Sequence, residues 1–185
     1  QPTPQPLSQD ELKQLVGPIA LYPDALIALI LPASTVPSDL VLAARFVASK
    51  GDLSQVANQP WDESVRSLVR YPDIVKWMDQ NLQWTTQLGE AFLDQPADVM
   101  NAIQQLRAQA RAAGTLVDTP QQKVVEEKSC IRIVPAEREV IYVPQYDPEV
   151  VYVEPAGPYS YGSYGYGDYP YPYESYSAPY WGPGI

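Results

Sequence analysis

The sequence predicts an α+β chain: a multi-helix N-terminal domain, a small antiparallel β segment and an extended Tyr/Pro/Gly-rich tail. Three features predict it. Apolar residues recur at helical spacing between Leu12 and Ala110. After Gln121, β-branched runs replace that spacing. Beyond Pro155, tyrosine, proline and glycine dominate. These shifts divide the chain into an extended lead (1–7), a helical domain (8–114), a β segment (115–155) and a tail (156–185).

Each helix carries its own punctuation. Ser8 with Glu11 three residues on is a capping box, followed by the stripe Leu12, Leu15, Val16. Gly17-Pro18 interrupts that stripe. Pro23 opens a second helix over Asp24–Leu31, apolar on nearly all sides and so a central core helix. Pro32 and Pro37 bracket a turn, and a third helix runs from Pro37 to Ala48. Asp52 caps a short helix reaching Asn58. Asp62 caps another with Val65, Leu68 and Val69, which Tyr71-Pro72 breaks. Ile74, Val75, Trp77 and Met78 follow, then Leu82, Trp84, Leu88, Ala91, Phe92 and Leu93. Pro96 opens the last helix, lined by Val99, Ile103, Leu106 and Ala110, and Gly114 stops it. Val124-Val125, Ile131–Val134, Val140–Val143 and Val150–Val153 predict three or four short strands. Alone they would be marginal, so they are expected to lean on the helices or on another subunit.

Composition narrows the function. The chain has 12 Lys and Arg against 22 Asp and Glu, a net charge of −10. A phosphate-backbone binder needs a basic stripe, so nucleic acid is excluded as a partner and anionic membranes are disfavoured. There is no histidine, which removes the usual general base and the commonest metal ligand, and Cys130 is the single cysteine. No catalytic, cofactor-binding or metal-ligating set emerges, and no cofactor is expected. The longest apolar run, Ala25–Leu31, is too short for a transmembrane segment, which needs about 20 residues. Gln1-Pro2-Thr3-Pro4-Gln5-Pro6 has no cationic start and no initiator Met, as after signal cleavage; the alternative is an artificial boundary.

Several motifs in order carry a resemblance. Val16-Gly17-Pro18-Ile19-Ala20-Leu21-Tyr22-Pro23-Asp24-Ala25-Leu26, Gln59-Pro60-Trp61-Asp62, Tyr71-Pro72, Trp84-Thr85 and Leu88-Gly89-Glu90-Ala91-Phe92 begin it. Gln95-Pro96-Ala97-Asp98-Val99-Met100, Thr119-Pro120-Gln121-Gln122-Lys123-Val124 and Ile141-Tyr142-Val143-Pro144-Gln145-Tyr146-Asp147-Pro148 complete it. Over about residues 10–155 the chain resembles the bacterial domain-of-unknown-function family 3300. The resemblance implies an exported protein of Gram-negative envelopes, placed in the periplasm, at the outer surface or outside the cell. It offers no catalytic residues to carry over.

The tail holds nine of the 14 tyrosines: Tyr159, Tyr161, Tyr164, Tyr166, Tyr169, Tyr171, Tyr173, Tyr176 and Tyr180, with Trp181 beside them. Such composition favours a solvated tail. Fixing its last 27 residues costs on the order of 40 kcal/mol at ~1.5 per residue. Nine rings burying ~200 Å² each return about 45 kcal/mol. An ordered tail therefore needs nearly every ring covered, more than a domain of this size is expected to supply, so a neighbouring copy is the expected cover. The predicted function is non-enzymatic self-association outside the cytoplasm, as a homo-oligomer or an extracellular homopolymer such as a fibre.

Two other classes compete. Trp61, Trp77 and Trp84, or the tail aromatics, would form a platform for envelope or cell-wall polysaccharide; at helical spacing the tryptophans fit core better. The pairs Asp62/Glu63, Glu126/Glu127 and Asp147/Glu149 would serve a carboxylate-based hydrolase, although 22 acids produce such pairs by chance. Asp147 before Pro148 suits a structural side-chain bond in a turn. Cys130 is either an intermolecular disulfide former or a small buried strand residue.

Overall fold

The computed structural model describes residues 6–128, 130–137, 140–153 and 180–181. Seven α-helices build the N-terminal domain: α1 (Gln9–Val16), α2 (Asp24–Ser34), α3 (Pro37–Ala48), α4 (Glu63–Leu68), α5 (Pro72–Gln80), α6 (Leu82–Asp94) and α7 (Pro96–Ala112). A 3-10 helix, Leu53–Asn58, lies between α3 and α4. The β segment contains β1 (Gln122–Glu127), β2 (Cys130–Pro135), β3 (Pro144–Gln145) and a short helix α8 (Pro148–Val151), and β4 is Tyr180–Trp181.

Local chemistry accounts for the helix starts. The capping box closes on both sides: Ser8 Oγ accepts from Glu11 N, and Ser8 N donates to Glu11 Oε2 at 2.8 Å. Asp52 and Asp62 each accept from a main-chain N–H two residues on. Proline occupies the first turn of α3, α5, α7 and α8, where its missing N–H would have no helical partner. Gly114 ends the domain at φ 76°, a left-handed conformation that glycine adopts without strain.

α2 is the axis of the core. Leu26, Ile27, Ile30 and Leu31 are buried, with α3, α4 and α6 packed around them. Its end differs from expectation, running through Pro32 to Ser34 rather than stopping at Leu31. The carbonyls near the proline find side-chain donors instead: Ser34 Oγ to Leu31 O at 2.6 Å, and Thr35 Oγ1 to Pro32 O at 2.7 Å. Gly89 of α6 lies against the Ser34 carbonyl, which sets how closely α6 approaches α2.

β1 and β2 form an antiparallel hairpin, from Gln122↔Pro135 to Glu127↔Cys130. Its inner face joins Ile131 and Ile133 to Leu21, Ala110, Leu116 and Val151 in a second apolar cluster. Two predicted strands are corrected. Residues 140–143 form no regular element and pair with no strand among the described residues; Ile141 and Val143, two apart, pack against the helical core instead. Residues 148–151 form α8, because Asp147 caps the N–H of Glu149 at 2.9 Å and Pro148 fixes the first turn. These local bonds outweigh the β preference of Val150-Val151. β3 pairs antiparallel with β4.

Candidate functional site

The loop Gly17–Pro23 between α1 and α2 is where the rest of the chain converges. The carbonyls of Gly17, Ala20 and Tyr22 and the N–H of Leu21 have no main-chain partner among the described residues and take side-chain ones. Arg107, 2% exposed, supplies several. Its Nε donates to Ala20 O at 2.8 Å, one terminal nitrogen to Tyr22 O at 3.0 Å, and the other to Ile131 O at 2.8 Å and Asp24 Oδ1 at 2.6 Å. Asp24 also accepts from Arg132 Nε and Ile133 N, both at 3.3 Å. Gln104 holds Ile131 on both main-chain sides, accepting from its N–H at 2.8 Å and donating to its carbonyl at 3.2 Å. One planar guanidinium and one carboxylate thus join α7, the loop, the start of α2 and strand β2.

A tyrosine group closes the loop from the other side. Tyr146 and Tyr152 both donate to Gly17 O, at 2.9 and 2.7 Å, and Tyr146 accepts from Leu21 N at 3.1 Å. Tyr22 and Tyr146, and Tyr146 and Tyr152, meet edge to face with centroids 6.3 and 6.2 Å apart. Burial holds all three phenols above their ordinary range: Tyr22 is pushed up to about 12, and Tyr146 and Tyr152 are raised by the same cause.

Beside this group a groove of about 470 Å³ runs between α5 and β3. Pro18, Tyr22, Ile74, Trp77 and Tyr146 line it, with Asp73 at the rim. At its edge β4 lies on β3 with Gln145 opposite Tyr180 and Pro144 opposite Trp181. Antiparallel neighbours alternate between hydrogen-bonded and non-bonded pairs. Pro144 has no N–H to donate, so the pair Gln145–Tyr180 carries the reciprocal bonds.

The sequence-predicted residues fall elsewhere or into structural roles. Trp61 is 6% exposed and packs edge to face on Phe46. Trp77 and Trp84 pack on each other with centroids 4.5 Å apart, and the Trp84 N–H donates to Leu15 O. The three indoles do not assemble a shared platform. Among the acids, Asp62 caps Ser64 and Asp147 caps Glu149. Glu126 pairs with Arg111 at 3.3 Å and Glu127 with Arg132 at 3.8 Å. Cys130 is exposed at the start of β2, which removes the buried-strand alternative. Tyr159, Tyr161, Tyr164, Tyr166, Tyr169, Tyr171, Tyr173 and Tyr176 lie outside the described residues. Among the described residues no group of three potential ligands could hold a metal ion, and no single helix is long and apolar enough to cross a membrane.

The motifs that carried the resemblance coincide with this convergence: Gly17–Asp24 is the bonded loop, and Val143–Pro148 supplies β3, Tyr146 and the cap of α8. The family model for the protein of unknown function DUF3300 matches residues 8–185. The chain belongs to the DUF3300 family. It is also 36% identical over 183 residues to the uncharacterized protein YacH of Escherichia coli (strain K12). That match covers 78% of this chain, which spans 30% of the length of YacH. No solved structure matches the chain. Within this DUF3300 domain, Arg107 is the residue sequence reasoning missed. Its signal was legible: it lies four residues after Ile103 and three before Ala110, a cation on the buried stripe of α7.

Proposed function

We propose that this chain is a non-enzymatic association protein acting outside the cytoplasm, whose tyrosine-rich tail makes homotypic contacts. What supports the reading is the return of Tyr180–Trp181 to the rim of the domain at β3, past 26 intervening residues. The far end of the tail is recognised through its main chain, beside a groove whose lining resembles the tail in chemistry: tyrosine, tryptophan and proline. Four of the six acids offered for hydrolysis, Asp62, Asp147, Glu126 and Glu127, serve as caps or ion pairs, which favours a structural role over a catalytic one.

Sedimentation velocity tests this reading on the full chain and on a variant with serine at the nine tail tyrosines. Larger species should form with the native chain and be lost in the variant. Monomers from both would sink the proposal. Fractionation of cells making the precursor tests export, with recovery in the cytoplasm counting against it. A second reading, binding of envelope polysaccharide, draws on Tyr22, Trp77 and Asp73 sharing one groove. Retention of the serine variant on insoluble glycan would favour it.

A further inference from the structure

We infer that the β3 edge and its groove form the acceptor for the C-terminal segment of a second copy of this chain, so that assembly proceeds by exchanging β4. This rests on the self-association reading and adds where the neighbour binds.

β4 is two residues long and its backbone partner is the two-residue β3. A strand added to a free edge takes its affinity from main-chain bonds and from pockets beside the edge. Here the Gln145–Tyr180 pair supplies the bonds, and the groove lined by Pro18, Tyr22, Ile74, Trp77 and Tyr146 lies alongside. Every copy therefore carries one donor strand and one acceptor edge. The contacts are the same whether the donor comes from the same chain or from another, so exchange leaves the local interface unchanged and only its connectivity differs.

Chain length makes both connections reachable. The 26 residues between Val153 and Tyr180 extend at most ~90 Å. A covalent tether of this length gives the closed form an effective concentration on the order of millimolar. Dilute chains are closed, and crowding toward millimolar levels opens them to neighbours. Reciprocal exchange closes a dimer, and head-to-tail exchange propagates a chain.

Complementation between two full-length variants tests the inference. Tyr180→Pro removes the donor strand's N–H while leaving the folded domain untouched. Gln145→Pro removes the acceptor's N–H, and its thermal melt is compared with wild type. Should that melt fall, Asp73→Trp replaces it, filling the groove from an exposed rim position. Sedimentation velocity at about 1 mM should find each variant monomeric alone. Mixed in equal amounts they should form a 1:1 dimer and nothing larger, since only one donor and one acceptor survive. Assembly of Tyr180→Pro alone would overturn the exchange, as would a monomeric mixture beside an assembling wild type; in both cases self-association itself would stand. A wild type that stays monomeric throughout removes both.

Discussion

Replacing Arg107 by Met keeps the length and apolar stem of the side chain and deletes its donors. The carbonyls of Ala20 and Tyr22 then lose the bonds that the guanidinium makes to them at 2.8 and 3.0 Å. Ile131 O retains Gln104, and Asp24 retains Arg132 and Ile133 N, so those partners are weakened rather than stranded. A buried acceptor left unpaired costs about 1–3 kcal/mol, and two are left; breaking a wholly buried ion pair from one side costs about 3–5 kcal/mol, an upper bound here because the Asp24 side chain is a third exposed. The two effects overlap, and about 3–5 kcal/mol is expected in total. At about 2–4 °C per kcal/mol for a chain of this size, the melting temperature should fall by about 6–20 °C. Urea unfolding followed by tryptophan fluorescence measures the loss directly. Arg107→Lys should recover only a small part, because one ammonium cannot span four acceptors in a plane. A loss under about 1 kcal/mol in the Met variant would refute the idea that this side chain holds the β segment to the helices.

Two further perturbations probe the same construction. Tyr22, Tyr146 and Tyr152 keep their protons in the folded state beyond the pH at which unfolded tyrosine, with a pKa of about 10, releases its own. Above pH ~10 the unfolded chain therefore binds fewer protons, and stability falls as pH rises, by up to about 1.4 kcal/mol per pH unit per phenol. Urea midpoints between pH ~9 and ~12 should fall steeply in wild type and less in Tyr152→Phe; a flat profile would contradict the enclosed phenols. At Gly89 an added Cβ would overlap the Ser34 carbonyl oxygen and lie 2.6 Å from its carbon. Gly89→Ala, which on an open helix surface stabilises by up to about 1 kcal/mol, should here destabilise by about 1–3 kcal/mol, and a rise in melting temperature would show that α2 and α6 are not in contact there.

The helical domain was legible because its signals are local. Ser8, Asp52 and Asp62 cap over two or three residues, and prolines at 37, 72 and 96 fix first turns whatever packs on them. The β segment was harder, because its strand-like runs compete with local caps and with docking. Asp147-Pro148 turned Val150-Val151 into a helix, and 140–143 kept the alternation of a strand while spending it on the helical core. The convergence at Gly17–Pro23 joins Arg107, Tyr146 and Tyr152 across separations of 85–135 residues. Periodicity carries no information over that range, although a lone arginine on the apolar stripe of α7 marked one end of it. The return of Tyr180–Trp181 to β3 left no mark in the sequence, since a two-residue ladder is made by main-chain groups and has no apolar period to read.

That ladder is also where the account is most exposed. Amide hydrogen exchange at Gln145, in the full chain and in a variant ending at Ala178 that lacks β4 and with it the Tyr180 carbonyl, reads out that bond directly. The account predicts an amide that exchanges slowly in the native chain and at the open-peptide rate in the variant. Equal exchange in the two would mean that the domain does not hold the end of its own tail, and with it would go the acceptor for a neighbour's.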